Sequence, residues 1–491
     1  MTSDPPAPSQ TAIFTELVRD HMRAAPVAVA AGTPAADAVA RMAAGAASAL
    51  VVTATGGAVA GLVTEQDVTR RIAYRLDGAE PIEEAMSSPV TVIRDDDYLY
   101  HAIGVMRRRR LRHMPVVDAS GAAVGIFELH DALSVASAQM VDRIDKLTHE
   151  GTIAGLAQVK HAQAAVADQL LADNLPAPDV LGLISQVNGD LYRRAMALSL
   201  TAMAGAGEAE PPVPFALIVM GSGGRGESAI TADQDNGLII ADYPDADHDA
   251  IDGFFRRLAA RMTETLDAIG LPFCRGGVMA TNPLWRKTLG QWRTQIDGWM
   301  RRPAEAPLRL ADIFFDFRAV HGDPTLARAL RDHVTERAAR ASAFLNAMQA
   351  AQSDHRTALG LFGRLQTEPG RAHRGQINLK YRAGLPLVEA LRLLALRHGV
   401  AETGTMARIA ALAEAGVLER DEHERLRDAF MVITELLLRH QIRSLAAGGV
   451  VDSWIRRGQL RSRARRRLVE SLKAIESLRA WVRSEFTADA F

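Results

Sequence analysis

An internal repeat in the first quarter of the chain restricts its fold more than any other sequence feature. Three pairs of residues are related by the same offset of 64 positions: Met22 and Met86, Gly61 and Gly125, and Asp67 and Asp131. Each copy has a Met-containing turn, an amphipathic helix, a β-branched run, a glycine turn, a second strand and a final helix. The repeat therefore predicts a tandem β/α module, because each copy is one supersecondary unit.

Two stretches of the repeat, residues 61–67 and 112–118, carry a family resemblance. They read Gly-Leu-Val-Thr-Glu-Gln-Asp and Arg-His-Met-Pro-Val-Val-Asp, and both resemble signatures of cystathionine-β-synthase (CBS) domains. The resemblance implies a CBS pair over residues 18–137, with copies at about 18–76 and 80–137. It also implies AMP or ATP as regulatory ligands, bound between the copies, and association into a homodimer.

The resemblance assigns the ribose of that ligand to a hydroxyl and a carboxylate three residues apart. Thr64 and Asp67 fit this pattern in the first copy, whereas the second copy has Glu128 in the Thr position and keeps Asp131. Phosphate contacts are expected from the side chains of Arg112 and His113, since cations form charge-assisted hydrogen bonds with phosphate.

Charge and cysteine content exclude several classes of protein. The chain has 57 Lys and Arg against 58 Asp and Glu, and 5% aromatic residues, which argues against nucleic acid as a partner. The single cysteine, Cys274, excludes an internal disulfide framework and a Cys-rich zinc module. No segment reaches the roughly 20 apolar residues of a membrane span, and the start of the chain does not resemble a signal peptide. We therefore expect a cytoplasmic protein that does not contact membranes.

The rest of the chain divides by pattern into a helical connector, a central α/β domain and a helical bundle. The predicted boundaries are as follows: a disordered tail at 1–17, the connector at 138–204, the α/β domain at 205–327 and the bundle at 328–491. The predicted fold class is thus α/β plus all-α.

The candidate nucleotide-binding motif begins where a predicted buried strand, residues 215–220, is followed by Gly-Ser-Gly-Gly-Arg-Gly-Glu at 221–227. These glycines also fit a dinucleotide-binding fingerprint, but the polar segment 228–237 leaves no room for the long helix that this fold needs. A phosphate-binding Walker A loop fails because Glu227 stands where its lysine belongs. A calcium loop fails because Gly237 occupies a ligand position.

The remaining interpretation is a nucleotide-transfer site at the start of the next strand. Asp233 and Asp235 are two residues apart, so their side chains share one face of a strand. Two such carboxylates can bridge a pair of Mg²⁺ or Mn²⁺ ions about 3.5–4 Å apart, which is the arrangement for in-line transfer to or from a phosphate. Backbone N–H groups near Gly221 and Ser222 would bind the triphosphate, and Arg225 would neutralise its charge.

The combined motif resembles the nucleotidyltransferase superfamily of DNA polymerase β, and within it the PII uridylyltransferase branch. The resemblance implies that Gly221, Ser222, Gly223, Arg225 and Glu227 bind the nucleotide. It implies a third metal-binding carboxylate on a neighbouring strand, where Asp316 is preferred and Asp312 is the reserve. Arg318 shares the predicted strand face of Asp316 and could pair with it.

In the bundle, the segment ending at Lys380 resembles the substrate-binding domain of the same branch, as do Arg392 and Arg408, and the resemblance implies that Lys380 binds the nucleotide. Three functions follow as hypotheses. The first is Mg-dependent transfer of NMP from NTP to an acceptor, which is a PII-like protein or a small molecule, regulated through the CBS pair. The second is a non-catalytic adenylate sensor, and the third is an RNA-tailing enzyme.

Overall fold

The computed structural model of the chain describes residues 17–488, except 25, 55–56, 74–75, 110, 130–150, 173–174, 209, 304–307 and 361–362. The predicted tail, apart from Leu17, and the predicted ligand residue Asp131 lie outside the described residues. The chain forms two compact units, residues 1–150 and 151–491.

The first unit contains the repeat predicted from the sequence. Its helices are α1 (Val18–His21), α2 (Ala35–Ala44), α3 (Glu65–Asp67) and α4 (Leu99–Arg109). Its strands are β1 (Arg23–Ala24), β2 (Ala28–Ala30), β3 (Ala49–Thr53), β4 (Val59–Thr64), β5 (Ile93–Arg94), β6 (His113–Val117) and β7 (Ala123–Glu128). They form two sheets with strand orders β2-β3-β4 and β1-β7-β6-β5.

The repeated methionines and glycines of this unit pack against each other across the two copies. A Cβ atom on Gly61 would lie 2.1 Å from Sδ of Met86, and one on Gly125 would lie 2.4 Å from Sδ of Met22. Met22, near the start of the first copy, therefore covers Gly125 in the sheet of the second copy, and Met86, near the start of the second copy, covers Gly61 in the sheet of the first. This reciprocal packing explains why methionine and glycine recur with the same offset.

The second unit begins with two long helices and a mixed sheet. Its first helices are α5 (Ile153–Ala172), α6 (Ala177–Gly205), α7 (Gly221–Gly224), α8 (His248–Ile269), α9 (Leu289–Arg301) and α10 (Leu308–Phe314). Its sheet strands are β8 (Phe215–Val219), β9 (Asn236–Ile240), β10 (Arg286–Thr288) and β11 (Arg318–Gly322). The strand order is β10-β9-β8-β11, in which only β10 and β9 are parallel. Helix α6 packs on α8 and β11, so the predicted connector helix is part of this α/β layer.

The remainder of the second unit is mainly helical, as the periodicity predicts. Its helices are α11 (Pro324–Ala339), α12 (Ser342–Gln352), α13 (Leu385–Arg397), α14 (Thr405–Glu414), α15 (Arg420–Ala446) and α16 (Ser462–Ala488). Strands β12 (Gln376–Asn378) and β13 (Trp454–Arg456) pair as an antiparallel two-stranded ribbon. One buried apolar cluster runs from the sheet into these helices, and it includes Trp292, Phe314 and Leu391. The α/β layer and the bundle therefore share a core.

One predicted element is wrong. The apolar run around Phe314 was expected to be a strand carrying Asp316, but it is the end of α10, and the strand begins only at Arg318. Short apolar runs do not distinguish a buried strand from a buried helix. Among the described residues, no helix is both long enough and apolar enough to cross a membrane.

Candidate active site

The glycine turn after β8 brings the backbone into direct contact with two aspartates. Gly221 has a positive φ of 57°, and a Cβ atom there would lie 3.0 Å from Oδ2 of Asp235. At Gly224 a Cβ atom would lie 1.6 Å from the backbone oxygen of Asp316. Only glycine fits these positions, because any side chain would displace the aspartate next to it.

Asp233 and Asp235 lie immediately before β9 and are held there by the residue between them. Gln234 is fully buried and donates from Nε2 to the backbone oxygens of Thr263 (2.9 Å) and Leu271 (2.8 Å). Since successive side chains of an extended segment alternate in direction, this anchor turns both carboxylates to the other side. The pair predicted to share a face therefore lines one cleft.

Cys274 joins this pair, which the sequence did not predict. One oxygen of each carboxylate and Sγ of Cys274 all lie within 4.8 Å of one another. Burial and then the charge of Asp233 raise the pKa of Asp235 to about 6. Burial and the same Asp235 raise the pKa of the Cys274 thiol to about 11, so it is a neutral thiol that donates to the carboxylate. Two close carboxylates with an unfavourable mutual charge fit a divalent cation.

Helix α6 lines part of the cleft. It contributes Ser185, Asn188 and Tyr192 to the lining. Tyr192 is buried, and burial followed by the charge of Asp235 raises its pKa. Sequence reasoning missed all three residues, because the apolar periodicity of α6 indicates a helix without showing which polar side chains face a site.

Arg225 is not free to meet phosphate in this structure. Its Nε donates to Glu227 (2.7 Å) and its Nη1 donates to Asp316 (2.8 Å). Glu227 in turn accepts from the backbone N–H of Thr405 at 2.5 Å. Arg225 and Glu227 were both predicted to bind the nucleotide. In the structure they instead bind each other and connect the glycine turn to Asp316 and to Thr405.

The prediction that Asp316 is a third metal ligand is corrected by its surroundings. Asp316 is fully buried, and its oxygens accept hydrogen bonds from Arg225, Arg392 and Arg408 at 2.5–3.1 Å. Burial alone would raise the pKa of Asp316, but these guanidinium groups hold it well below its usual range. Both of its oxygens are thus occupied by guanidinium groups and are not available as metal ligands. The reserve residue Asp312 also pairs with Arg392.

Lys380 lies on the bundle side of the acid pair. It is exposed, follows β12, and its positive charge acts to lower the pKa of Asp235. This placement agrees with the predicted role in nucleotide binding, which remains a prediction.

In the first unit, Thr64 and Asp67 meet as the sequence predicted. Thr64 ends β4, and both its N–H (3.0 Å) and its hydroxyl (2.7 Å) donate to Oδ2 of Asp67 at the start of α3. This is a capping box, which fixes the hydroxyl and the carboxylate side by side. The two groups could together contact a diol.

The second copy uses the equivalent positions differently. Glu128 accepts a hydrogen bond from the Ser48 hydroxyl (2.6 Å), and Nε2 of His113 lies 3.1 Å from the hydroxyl oxygen of Ser48. Burial lowers the pKa of His113. Arg112 donates to Gln66 at 2.5 Å. Glu128 therefore links the two copies, and a ribose site in the second copy has no hydroxyl at this position.

A mixed sheet with a glycine turn and an acid pair before its second strand defines a nucleotidyltransferase-type domain. Comparison with protein-family models agrees with this class. Residues 161–306 match the family described as "Putative nucleotidyltransferase DUF294", and residues 342–486 match its "Putative nucleotidyltransferase substrate binding domain". Residues 18–74 and 82–138 match the CBS domain. The chain therefore carries a CBS pair, a nucleotidyltransferase domain of this family and the family's substrate-binding domain.

Similar individual proteins cover only parts of the chain. A homoserine O-acetyltransferase from Methanohalophilus mahii is 36% identical over 75 residues, which are 15% of this chain and 15% of that protein. An uncharacterised 17.7 kDa protein from Acidianus ambivalens is 29% identical over 82 residues, 17% of this chain and 49% of that protein. The chain thus spans about half or less of the length of these curated relatives.

Among solved structures, the similarity also covers about a quarter of the chain. A CBS domain protein from Pyrobaculum aerophilum complexed with AMP is 28% identical and covers 24% of this chain and 89% of its own, with a TM-score of 0.22. A conserved CBS domain protein of unknown function from Thermoplasma acidophilum is 26% identical and covers 26% of this chain and 74% of its own, with a TM-score of 0.24.

Proposed function

We propose that the chain is a nucleotidyltransferase that uses Mg²⁺ or Mn²⁺ to move an NMP from an NTP to a hydroxyl of an acceptor. The observation that carries this proposal is the acid pair: Asp233 and Asp235 line one cleft together with Ser222 and Gly223 of the glycine turn. The match of residues 161–306 to a nucleotidyltransferase family supports it.

In this reaction the acceptor hydroxyl oxygen forms a bond to the α-phosphorus and gives up its proton to solvent, the bond from the α-phosphorus to the bridging oxygen of the β-phosphate breaks, and pyrophosphate leaves. Asp233 and Asp235 would hold the metal, which when bound neutralises phosphate charge and makes the acceptor oxygen a better nucleophile. Gln234 fixes both carboxylates by its two buried hydrogen bonds.

The acceptor would bind between the acid pair and the bundle, whose residues 342–486 match a substrate-binding domain. A PII-like protein is the first acceptor to test, because the glycine-turn and Asp-Gln-Asp motif resembles PII uridylyltransferases. Uridylyl transfer is then the first donor specificity to test. A small-molecule acceptor is the alternative.

Regulation is proposed to come from an adenosyl nucleotide, AMP or ATP, in the CBS pair. The Thr64 hydroxyl and the Asp67 carboxylate, fixed 2.7 Å apart, suit the two hydroxyls of a ribose. The first-copy site is therefore proposed as the one that binds ribose, since Glu128 replaces the hydroxyl in the second copy.

The test is transfer of label from each of the four α-³²P-labelled NTPs to purified PII protein and to a small-molecule extract, with Mg²⁺ present. We expect label on an acceptor with the wild-type chain and none with the Asp233→Asn, Asp235→Asn double variant. Asp247→Asn, an exposed aspartate on a turn away from the cleft, is the matched control. Equal labelling by the double variant and the control would contradict the proposal.

A non-catalytic nucleotide sensor is the second candidate, and one observation favours it. Among the described residues no third carboxylate joins the acid pair, since Asp316 is enclosed by three arginines. A sensor would bind Mg-NTP at the acid pair and form no labelled product with any acceptor. An enzyme would release pyrophosphate when the acceptor is added, so a pyrophosphate assay separates the two.

A further inference from the structure

Arg318 occupies a place in the cleft that its sequence context does not reveal. It is the first residue of β11 and pairs with Val219, the last residue of β8. Its Nε donates to the backbone oxygen of Gly223 (3.0 Å) and its Nη2 to that of Ser185 (3.2 Å). The expectation that it pairs with Asp316 is wrong, because other arginines occupy that carboxylate.

The guanidinium of Arg318 consequently lacks a counter-charge. Both of its acceptors are neutral carbonyl oxygens, and burial lowers its pKa. No carboxylate of the described residues forms an ion pair with it, and its Nη1 has no acceptor among them, while the side chain lines the cleft. A desolvated cation with spare N–H donors is stabilised by an anion that enters the cleft.

A second donor in the same cleft also has no partner. Asn188 is 3% exposed, and its Oδ1 accepts from both Lys160 Nζ (3.3 Å) and Gln163 Nε2 (2.9 Å). Its Nδ2 has no hydrogen-bond partner in the part of the chain that the structure describes. The oxygen and nitrogen of an amide point in different directions, so the unpaired N–H groups of Asn188 face away from Lys160 and Gln163. A buried donor without an acceptor costs stability, and a ligand oxygen would satisfy it.

The lining of the cleft therefore combines two chemically opposite kinds of group. Arg318 and Asn188 supply unpaired donors, and Asp233 and Asp235 supply acceptors. A polyphosphate that carries a divalent cation matches both, since its oxygens accept hydrogen bonds and its metal binds carboxylates. We infer that Arg318 and Asn188 bind the β- and γ-phosphates of the nucleoside triphosphate, in the role that the sequence assigned to Arg225. This inference rests on the proposed function.

The experiment measures binding of magnesium tripolyphosphate to the full chain by calorimetry. This probe has no base or ribose, so it lacks the groups that Thr64 and Asp67 are proposed to bind, and any contact of its phosphates with the CBS pair would not depend on Arg318. Arg318→Gln should weaken binding at least about tenfold, the value of one charge-assisted hydrogen bond of roughly 1.4 kcal/mol or more. Asn188→Asp should weaken it as well, because it keeps the acceptor for Lys160 and Gln163 and replaces only the unpaired NH₂ by an anionic oxygen.

Arg331→Gln is the matched control. Arg331 also donates to two backbone oxygens, those of Phe315 (2.9 Å) and Phe317 (2.8 Å), but it does not line the cleft. It should leave tripolyphosphate binding unchanged. Equal losses in the Arg318 and Arg331 variants, or wild-type affinity in Asn188→Asp, would overturn the inference.

Failure of the proposed function looks different. Tripolyphosphate binding that depends on Arg318, without transfer to any acceptor, would retain the phosphate site and reject the enzyme. Wild-type protein that binds neither tripolyphosphate nor Mg-NTP would reject both. Binding of NTP that is insensitive to Arg318 and sensitive to Asp233 would reject only the phosphate role of Arg318.

Discussion

The Asp316→Asn variant tests whether Asp316 is a structural carboxylate or a metal ligand. In the structure Asp316 is the shared anion of Arg225, Arg392 and Arg408, all largely buried. We expect the asparagine variant to lose stability and to keep its metal site. The reverse result would return Asp316 to the role that the sequence predicted.

The expected magnitude follows from the burial of the group. Breaking a buried ion pair by removing one partner costs about 3–5 kcal/mol, because the remaining charge is left uncompensated. Asp316 is fully buried and bonded to three guanidinium groups, so the upper half of that range applies. At about 2 °C per kcal/mol for a unit of this size, the melting temperature should fall by roughly 8–10 °C.

The assay combines a thermal melt with Mn²⁺ binding followed by electron paramagnetic resonance, well below the melting temperature of the variant. Asp297→Asn is the control, since Asp297 pairs with Arg337 and His333 at the surface and its loss should cost about 1 kcal/mol or less. A stable Asp316→Asn protein that no longer binds Mn²⁺ would refute the reasoning.

Three further predictions concern Asp235, Glu389 and Thr64. Asp235→Asn should raise the melting temperature and abolish Mn²⁺ binding, because burial and Asp233 disfavour the ionised carboxylate; a destabilised variant would count against this. Burial and then Asp312 raise the pKa of Glu389 to about 7, so its ionisation opposes folding. As pH rises from 4.5 to 8, the free energy of unfolding of wild type should therefore fall by up to about 3 kcal/mol relative to that of Glu389→Gln. The melting temperatures of the two proteins should diverge over this range, and a constant difference between them would contradict this. Thr64→Val should weaken AMP binding about tenfold in calorimetry without changing tripolyphosphate binding; unchanged AMP affinity would exclude this ribose site.

Local signals in the sequence were sufficient for the repeat and the acid pair. The offset of 64 residues identifies the two copies, and the alternation of a strand places Asp233 and Asp235 on one face. Glycine spacing likewise predicts the turn, because close approach of the backbone needs residues without side chains.

The remaining site residues could not be predicted, because tertiary contacts decide their roles. Arg225 and Arg318 look equivalent in sequence, yet Arg225 is bound by the carboxylates of Glu227 and Asp316, whereas Arg318 has only carbonyl partners. Asn188 lines the cleft from α6, and Cys274 meets the acid pair from the loop after α8, and nothing near either residue in sequence marks a site. A buried anion and a metal ligand use the same residue type, so Asp316 could be assigned only from its neighbours.

The most direct test of the central claim is Mn²⁺ affinity of the full chain, measured by electron paramagnetic resonance with and without each NTP. We predict that the best NTP tightens Mn²⁺ binding at least tenfold in wild type and has no such effect in the Asp233→Asn, Asp235→Asn variant. A metal–nucleotide site that survives in that variant, or that is absent from the wild type, would contradict the claim that the acid pair is the nucleotide-transfer site.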